Sequence, residues 1–195
     1  MIYDISQELF SCAVYPGDPP PVRTTLASLD RGDIINLTAL SLCAHNGTHL
    51  DAPAHFIRGG KTIDKVDPAA YLGACYVTHH EGDVTAAHAE AILEKATACG
   101  GRDRILIGGK ATVTEAAARV FADAGIKLIG GESQTVGPED APMAVHLILL
   151  GAEILLLEGV VLSHVPEGTY LLTAAPLNLG GCEGAPCRAM LLELP

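Results

Sequence analysis

Residues 104–130 read RILIGGKATVTEAAARVFADAGIKLIG, a stretch that carries a strand, a helix and a second strand. Arg104 to Gly108 is a short apolar run ending in glycine, a length that suits a buried strand better than a helix. Thr112-Val-Thr-Glu115 has the spacing of a capping box, whose two side chains satisfy the first free N–H groups of a helix. Val113, Ala116, Ala117, Val120, Phe121 and Ala124 then share one face at helical period, and Gly125 closes the helix. Ile126 to Gly130 is apolar again. Strand, helix and strand in so short a span make a parallel crossover unit.

The pattern repeats on both sides. Gly73 to His79 reads as a strand, and Thr85 to about Thr97 as a helix with Ala89, Ile92, Leu93 and Ala96 on one face. Downstream, Asp140-Ala-Pro142 opens a helix to Leu150 with Gly151 as its stop, and Glu153 to Leu157 is a buried strand. The ends carry strands without helices, at 2–6, 35–42, 170–179 and 188–193. Between the first two, Pro16-Gly17-Asp18-Pro19-Pro20-Pro21 forces an extended or turning chain. The fold class expected is α/β: a layered domain with a mixed β-sheet and crossover helices, not a purely doubly wound sheet. No linker, repeat or low-complexity tract divides residues 1–195, so one domain is expected.

Composition narrows the function. Hydrophobic residues make up 49% of the chain with no Trp and three Phe, so the core is aliphatic. A net charge of -11 and the lack of a basic run argue against nucleic acid as a partner. No run of about eighteen apolar residues is present to span a membrane, and the N-terminus lacks the basic leader of a signal peptide. A cytoplasmic protein is expected. The six Cys, at 12, 43, 75, 99, 182 and 187, show no CxxC spacing, and most are expected as small buried hydrophobes, not a disulfide scaffold. Cys43 is close enough to His45 to line a site there.

Residues 45–56, His-Asn-Gly-Thr-His-Leu-Asp-Ala-Pro-Ala-His-Phe, concentrate the chemistry. His45, His49, Asp51 and His55 fall within eleven positions, although the chain holds only eight His. Gly47 and Pro53 interrupt the run, so neither a regular helix nor a regular strand is expected. Imidazole with carboxylate suits Zn²⁺, Mn²⁺ or Fe²⁺, and a carboxylate can bridge two ions. His146, inside an apolar helix, reads on its own as a hydrogen-bonded core histidine. Glu158, after Ile154-Leu-Leu-Leu157, reads equally as an exposed strand end, since an unpaired buried carboxylate is costly.

His-x-Gly-Thr-His-x-Asp-x-Pro-x-His resembles the signature of the metal-dependent cyclase-like hydrolases, which include the bacterial kynurenine formamidases. The resemblance implies a swivelling β/β/α fold, His45, His49 and Asp51 as metal ligands, and His55 as general acid/base. It also implies His146 and Glu158, twelve residues apart, as the ligands that complete a two-metal site. Similar segments at 130–138, 162–170, 175–179 and 185–189 extend it over most of the chain. Thr48 is expected beside the metals, bonded to a ligand or the substrate. Tyr15-Pro16-Gly17-Asp18 stands where the family shows an aromatic before Pro-Gly-Asp, so Tyr15 is expected to contact substrate, although the motif is also an ordinary Pro-Gly turn. The chain departs from the family in Tyr15 for Trp, in Glu132 and Gly137 for Asp, and in a short stretch from Ile105 to Thr112 where formamidases carry a longer arm. The implied cofactors are two divalent ions, Zn with Mn as the second choice. The implied reaction is hydrolysis of a small amide, by a homodimer or homotetramer.

Two other classes fit part of the residues. A 2-His-1-carboxylate iron oxygenase uses His49, Asp51 and a distant His146, but leaves His45, His55 and Glu158 without a role. A metal-binding module without catalysis leaves His55 without one.

Overall fold

A computed structural model describes residues 1–194. The strands are β1 (Ile2–Asp4), β2 (Val22–Ala27), β3 (Leu37–Ser41), β4 (His49–Asp51), β5 (Leu72–His79), β6 (Gly82–Val84), β7 (Arg104–Gly108), β8 (Ala111–Val113), β9 (Leu128–Gly131), β10 (Leu155–Glu158), β11 (Gly168–Thr173), β12 (Gly184–Pro186) and β13 (Met190–Glu193). The helices are α1 (Pro68–Tyr71), α2 (Ala86–Ala98), α3 (Glu115–Ala124) and α4 (Met143–Gly151).

Nine strands form one mixed sheet in the order β1-β13-β11-β5-β7-β9-β10-β4-β12. Its centre, β5-β7-β9-β10, is parallel, and α2, α3 and α4 are the three crossovers between successive strands. Antiparallel strands extend both sides, β11, β13 and β1 on one and β4 and β12 on the other. Alternation along the strands divides the core. Ile105, Ile107, Ile129, Ile154 and Leu156 face Ala89, Ile92, Phe121, Val145 and Leu149 of the helices. Leu106, Leu128, Leu155 and Leu157 face the opposite way, against Ile5, Val160, Leu162 and Tyr170. The α/β mixed-sheet reading therefore holds, with all three crossover helices on one face.

Two local expectations are corrected. The cap of α3 is Thr114, whose hydroxyl accepts the Ala117 N–H, not Thr112. Thr112 instead lies in β8, which pairs with β6, so sheet pairing takes the residue that local spacing assigned to the helix. The metal-motif segment is also more regular than expected. His49–Asp51 is a buried three-residue strand, held between β10 and β12 despite the Gly and Pro that flank it.

Among the described residues, no helix is long and apolar enough to cross a membrane. All six Cys are free thiols. Cys43 turns its sulfur toward the Asp18 carboxylate at 3.8 Å and is not part of the cavity wall described below.

Candidate metal centre

The register of β4 against β10 builds the floor of the site. Glu158 stands opposite His49, and Leu156 opposite Asp51. Residues two apart in a strand share a face, so His49, Asp51 and Glu158 all point to the helix side of the sheet, while Leu50 and Leu157 enter the other core. That is the side on which α4 carries His146. The site thus lies at the carboxyl end of β10, where open parallel sheets place their ligands. The chain at Gly159 comes so close to the motif loop that a Cβ there would sit 2.7 Å from the Gly47 carbonyl oxygen, and its φ is +67°. Glycine meets both demands.

One carboxylate sits among four imidazoles. Asp51 is fully buried. Its Oδ1 lies 2.8 Å from His45 Nδ1 and 3.4 Å from His49 Nε2. Its Oδ2 lies 3.6 Å from His146 Nε2 and 3.9 Å from His55 Nε2. Glu158 faces the same space, with Oε2 3.5 Å from His49 Nε2 and Oε1 3.4 Å from His146 Nε2. Glu158 Oε1 also accepts the Val136 N–H at 2.9 Å. Two groups of donor atoms, His45/His49/Asp51 and Asp51/His146/Glu158, each lie within 4.8 Å of one another and share Asp51.

The donor set fits divalent metal. Ligand bonds of about 2.0–2.1 Å in tetrahedral array put neighbouring donor atoms about 3.3–3.4 Å apart. The contacts of 3.4–3.6 Å between His49, His146 and the two carboxylates have that spacing, which is too long for hydrogen bonds. Asp51 Oδ2 is buried without a hydrogen-bond partner, an arrangement costly for a carboxylate that no cation meets.

His55 stands apart from both groups. It ends a short 3-10 turn, Pro53–His55, and its side chain keeps 29% exposure, whereas His49 and His146 are buried. Phe56 packs edge-on against the His55 ring and tilted against the His146 ring, with centroids 4.6 and 4.8 Å away.

Charge follows this geometry. Burial opposes the charged form of every group, but the His45 hydrogen bond and the neighbouring His49 imidazole outweigh it at Asp51 and hold that carboxyl well below the usual range. The same contest raises His45 and His49, where Asp51 outweighs burial, and His146, where Glu158 does. At His55 burial wins and the pKa falls, so its imidazole is neutral near pH 7.

These directions fix a pH dependence for metal-free protein. Three histidines raised above the unfolded value of about 6.5 stabilise the fold below that pH, and their contribution is lost as pH rises through the raised values. The lowered His55 has the opposite sign, with its contribution lost as pH falls below about 6.5. Asp51 contributes above about pH 3.9 and fails only in stronger acid. Metal binding must displace the histidine protons. Chelated protein should therefore melt at a lower temperature at pH 8.5 than at pH 6.5, while its metal affinity rises over the same interval. An affinity that does not change between those pH values would contradict the charge assignment.

The centre opens into a cavity of about 340 Å³, lined beyond the imidazoles by Tyr15, Asp18, Phe56, Gln134, Thr135 and Pro142. Tyr15 is held in the wall by its hydroxyl, which donates to the Glu139 carbonyl at 2.9 Å. Thr48 takes a different place from the one expected. Its hydroxyl donates to the Gly159 carbonyl at 2.6 Å and accepts the Gln7 N–H at 2.9 Å, so it ties backbone together behind the ligands and faces no substrate space. Glu132 is likewise spent, accepting the N–H groups of Gly109 and Leu162. Sequence reasoning overlooked Asn46. It is fully buried, accepts the Cys43 N–H and donates to the Pro19 carbonyl, which fastens the Pro-rich segment bearing Tyr15 to the motif loop. Its position inside the His-rich run was the only available signal.

A mixed crossover sheet with two His/carboxylate donor groups sharing Asp51 beside β10 defines an α/β protein with a candidate metal centre. The cyclase family model, described as "Putative cyclase", matches residues 3–138, and the chain belongs to that family. It is 33% identical over 208 residues to a kynurenine formamidase of Salinibacter ruber, covering 100% of this chain and 98% of that one. It is 31% identical over 204 residues to a kynurenine formamidase of Delftia acidovorans, covering 99% and 98%. Among solved structures, a potential metal-dependent hydrolase with cyclase activity superimposes with a TM-score of 0.84 at 27% identity, covering 100% of this chain and 99% of the other.

Proposed function

We propose that this protein is a metal-dependent hydrolase of non-peptide amides, of arylformamidase type, loaded with two divalent ions, zinc first and manganese second. The observation that carries the reading is Asp51, one buried carboxylate shared by two groups of metal-ligand character. His45, His49 and Asp51 would hold one ion, and Asp51, His146 and Glu158 the other. Ions so held supply Lewis-acid charge that lowers the pKa of water and polarises a carbonyl oxygen. Neither an iron oxygenase nor a passive module accounts for two donor groups sharing one carboxylate beside a free imidazole.

His55 is the group left to move protons. Neutral near pH 7 and clear of both donor groups, it accepts a proton from the attacking water. It then delivers the proton to the amide nitrogen as the C–N bond breaks, so an aryl formamide and water give formate and an aryl amine. Tyr15 and Phe56 provide apolar wall for the ring of the leaving amine. Lys and Arg are absent from that wall among the described residues, which favours substrates without net negative charge. The tight β7–β8 connection adds no aromatic arm, so the site is open and tolerant of other small amides and lactones.

Tyr15→Ala should raise KM for aryl formamides by roughly 2- to 10-fold, the equivalent of one aromatic stacking pair. Its metal content should stay unchanged. An unaltered KM would place recognition elsewhere. The broader test is turnover on N-formylkynurenine, formyl anilides, isatin-like cyclic amides and simple lactones, with metal content measured beside it. Metal-loaded protein that cleaves no amide on that panel would sink the reading.

The exposed ribbon of β2 and β3 supports self-association as a homodimer or homotetramer. Leu26 and Leu40 are each 57% exposed there, and Ile34 in the connection is 93% exposed. Light scattering at micromolar concentration that finds only monomer would remove this part of the proposal.

A further inference from the structure

The three imidazoles of the two donor groups do not present the same ring nitrogen. His49 donates Nδ1–H to the Gly47 carbonyl and His146 donates Nδ1–H to the Pro142 carbonyl, both at 2.9 Å. Each therefore turns Nε2 toward Asp51 and Glu158. His45 is reversed. Its Nδ1 faces Asp51 Oδ1 at 2.8 Å, and its Nε2 points outward with no hydrogen-bonded partner, 3.3 Å from Glu183 Oε1.

A ligating imidazole nearly always donates its second N–H to a carbonyl, carboxylate or water, which fixes tautomer and ring orientation. Backbone carbonyls do this for His49 and His146. For His45 the group in the corresponding place is the Glu183 carboxylate. The backbone holds it there: the Glu183 carbonyl accepts the Ala52 N–H at 2.8 Å, and Gly184 pairs with Asp51 in the β12–β4 ladder. Gly184 also gives the ring its room, since a Cβ there would stand 2.9 Å from His45 Cε1.

We propose that Glu183 is a positioning residue of the centre, accepting Nε2–H of His45 and holding that ring to bind metal through Nδ1, the reverse of His49 and His146. A small rotation of the half-exposed Glu183 side chain closes the 3.3 Å approach into a hydrogen bond. The inference rests on the two-metal reading above.

The test uses zinc-loaded full-length protein, Glu183→Ala and Glu183→Gln. Long-range ¹H–¹⁵N spectra report which nitrogen of each ligating imidazole carries the proton, and chelator competition reports zinc affinity. The expected result is His45 protonated at Nε2, with His49 and His146 protonated at Nδ1. Glu183→Ala should weaken one of the two zinc sites by about tenfold, the low end for loss of such a partner because water replaces it. It should shift the His45 signal alone. Glu183→Gln, whose side-chain oxygen still accepts, should keep most of the affinity. His45 found ligated through Nε2, or Glu183→Ala with wild-type affinity and an unmoved His45 signal, would overturn the inference alone. Wild-type protein that binds no zinc would overturn the proposed function and this inference with it.

Discussion

Asp51→Ala should lose most of both metal ions and at least about 10³-fold in turnover, in one step. Metal charge at a reacting carbonyl supplies several kcal/mol, at about 1.4 kcal/mol per decade of rate. No neighbour can substitute. Asp51 is fully buried and shared by both donor groups, so removal leaves Glu158 as the remaining carboxylate, near His49 and His146 but in the second group alone. Two ions brought close would then repel each other without a bridge. Elemental analysis and a formamide assay on the same preparation check this. A variant that keeps two ions would show that the bridge lies elsewhere.

His55→Ala should behave in the opposite way toward metal. Its Nε2 lies outside both donor groups, so metal content should stay at the wild-type level. Turnover should fall by roughly 10² to 10⁴, the usual range for losing a proton-transfer group. His49→Ala is the contrasting variant, since its Nε2 approaches Asp51 and Glu158 at 3.4 and 3.5 Å and its loss should remove metal and activity together. Equal metal loss in the two variants would make His55 a ligand and leave the reaction without its proton carrier.

The crossover units were legible because each is a local pattern. The β7 run matched its strand residue for residue, and the stripe on α3 and the Gly125 cap follow from period and propensity alone. Boundaries set by partners distant in sequence were not legible. β4 is a strand only because β10 and β12 flank it, and its three residues between Gly47 and Pro53 carry no periodic signal. Thr112 looked like a cap until β6 claimed it.

The site shows the same division. Histidine spacing and the resemblance together point to five candidate donors and His55, and the β4–β10 register brings His49, Asp51 and Glu158 to one face. The resemblance implies Thr48 beside the metals, bonded to a ligand or the substrate, but its hydroxyl is taken up by the Gly159 carbonyl and the Gln7 N–H. Glu183 and Asn46 gave no comparable signal. Their significance comes from pairing across the fold, between β12 and β4 and between the motif loop and the Pro-rich segment.

Hydrolysis by this protein should depend on two ions that share Asp51. The most direct measurement is a metal titration of chelated protein, following bound ions by elemental analysis and aryl formamide turnover in the same samples. Close to two divalent ions per chain should bind at saturation, with turnover rising as the centre fills. Fully active protein that holds no transition metal would contradict that dependence.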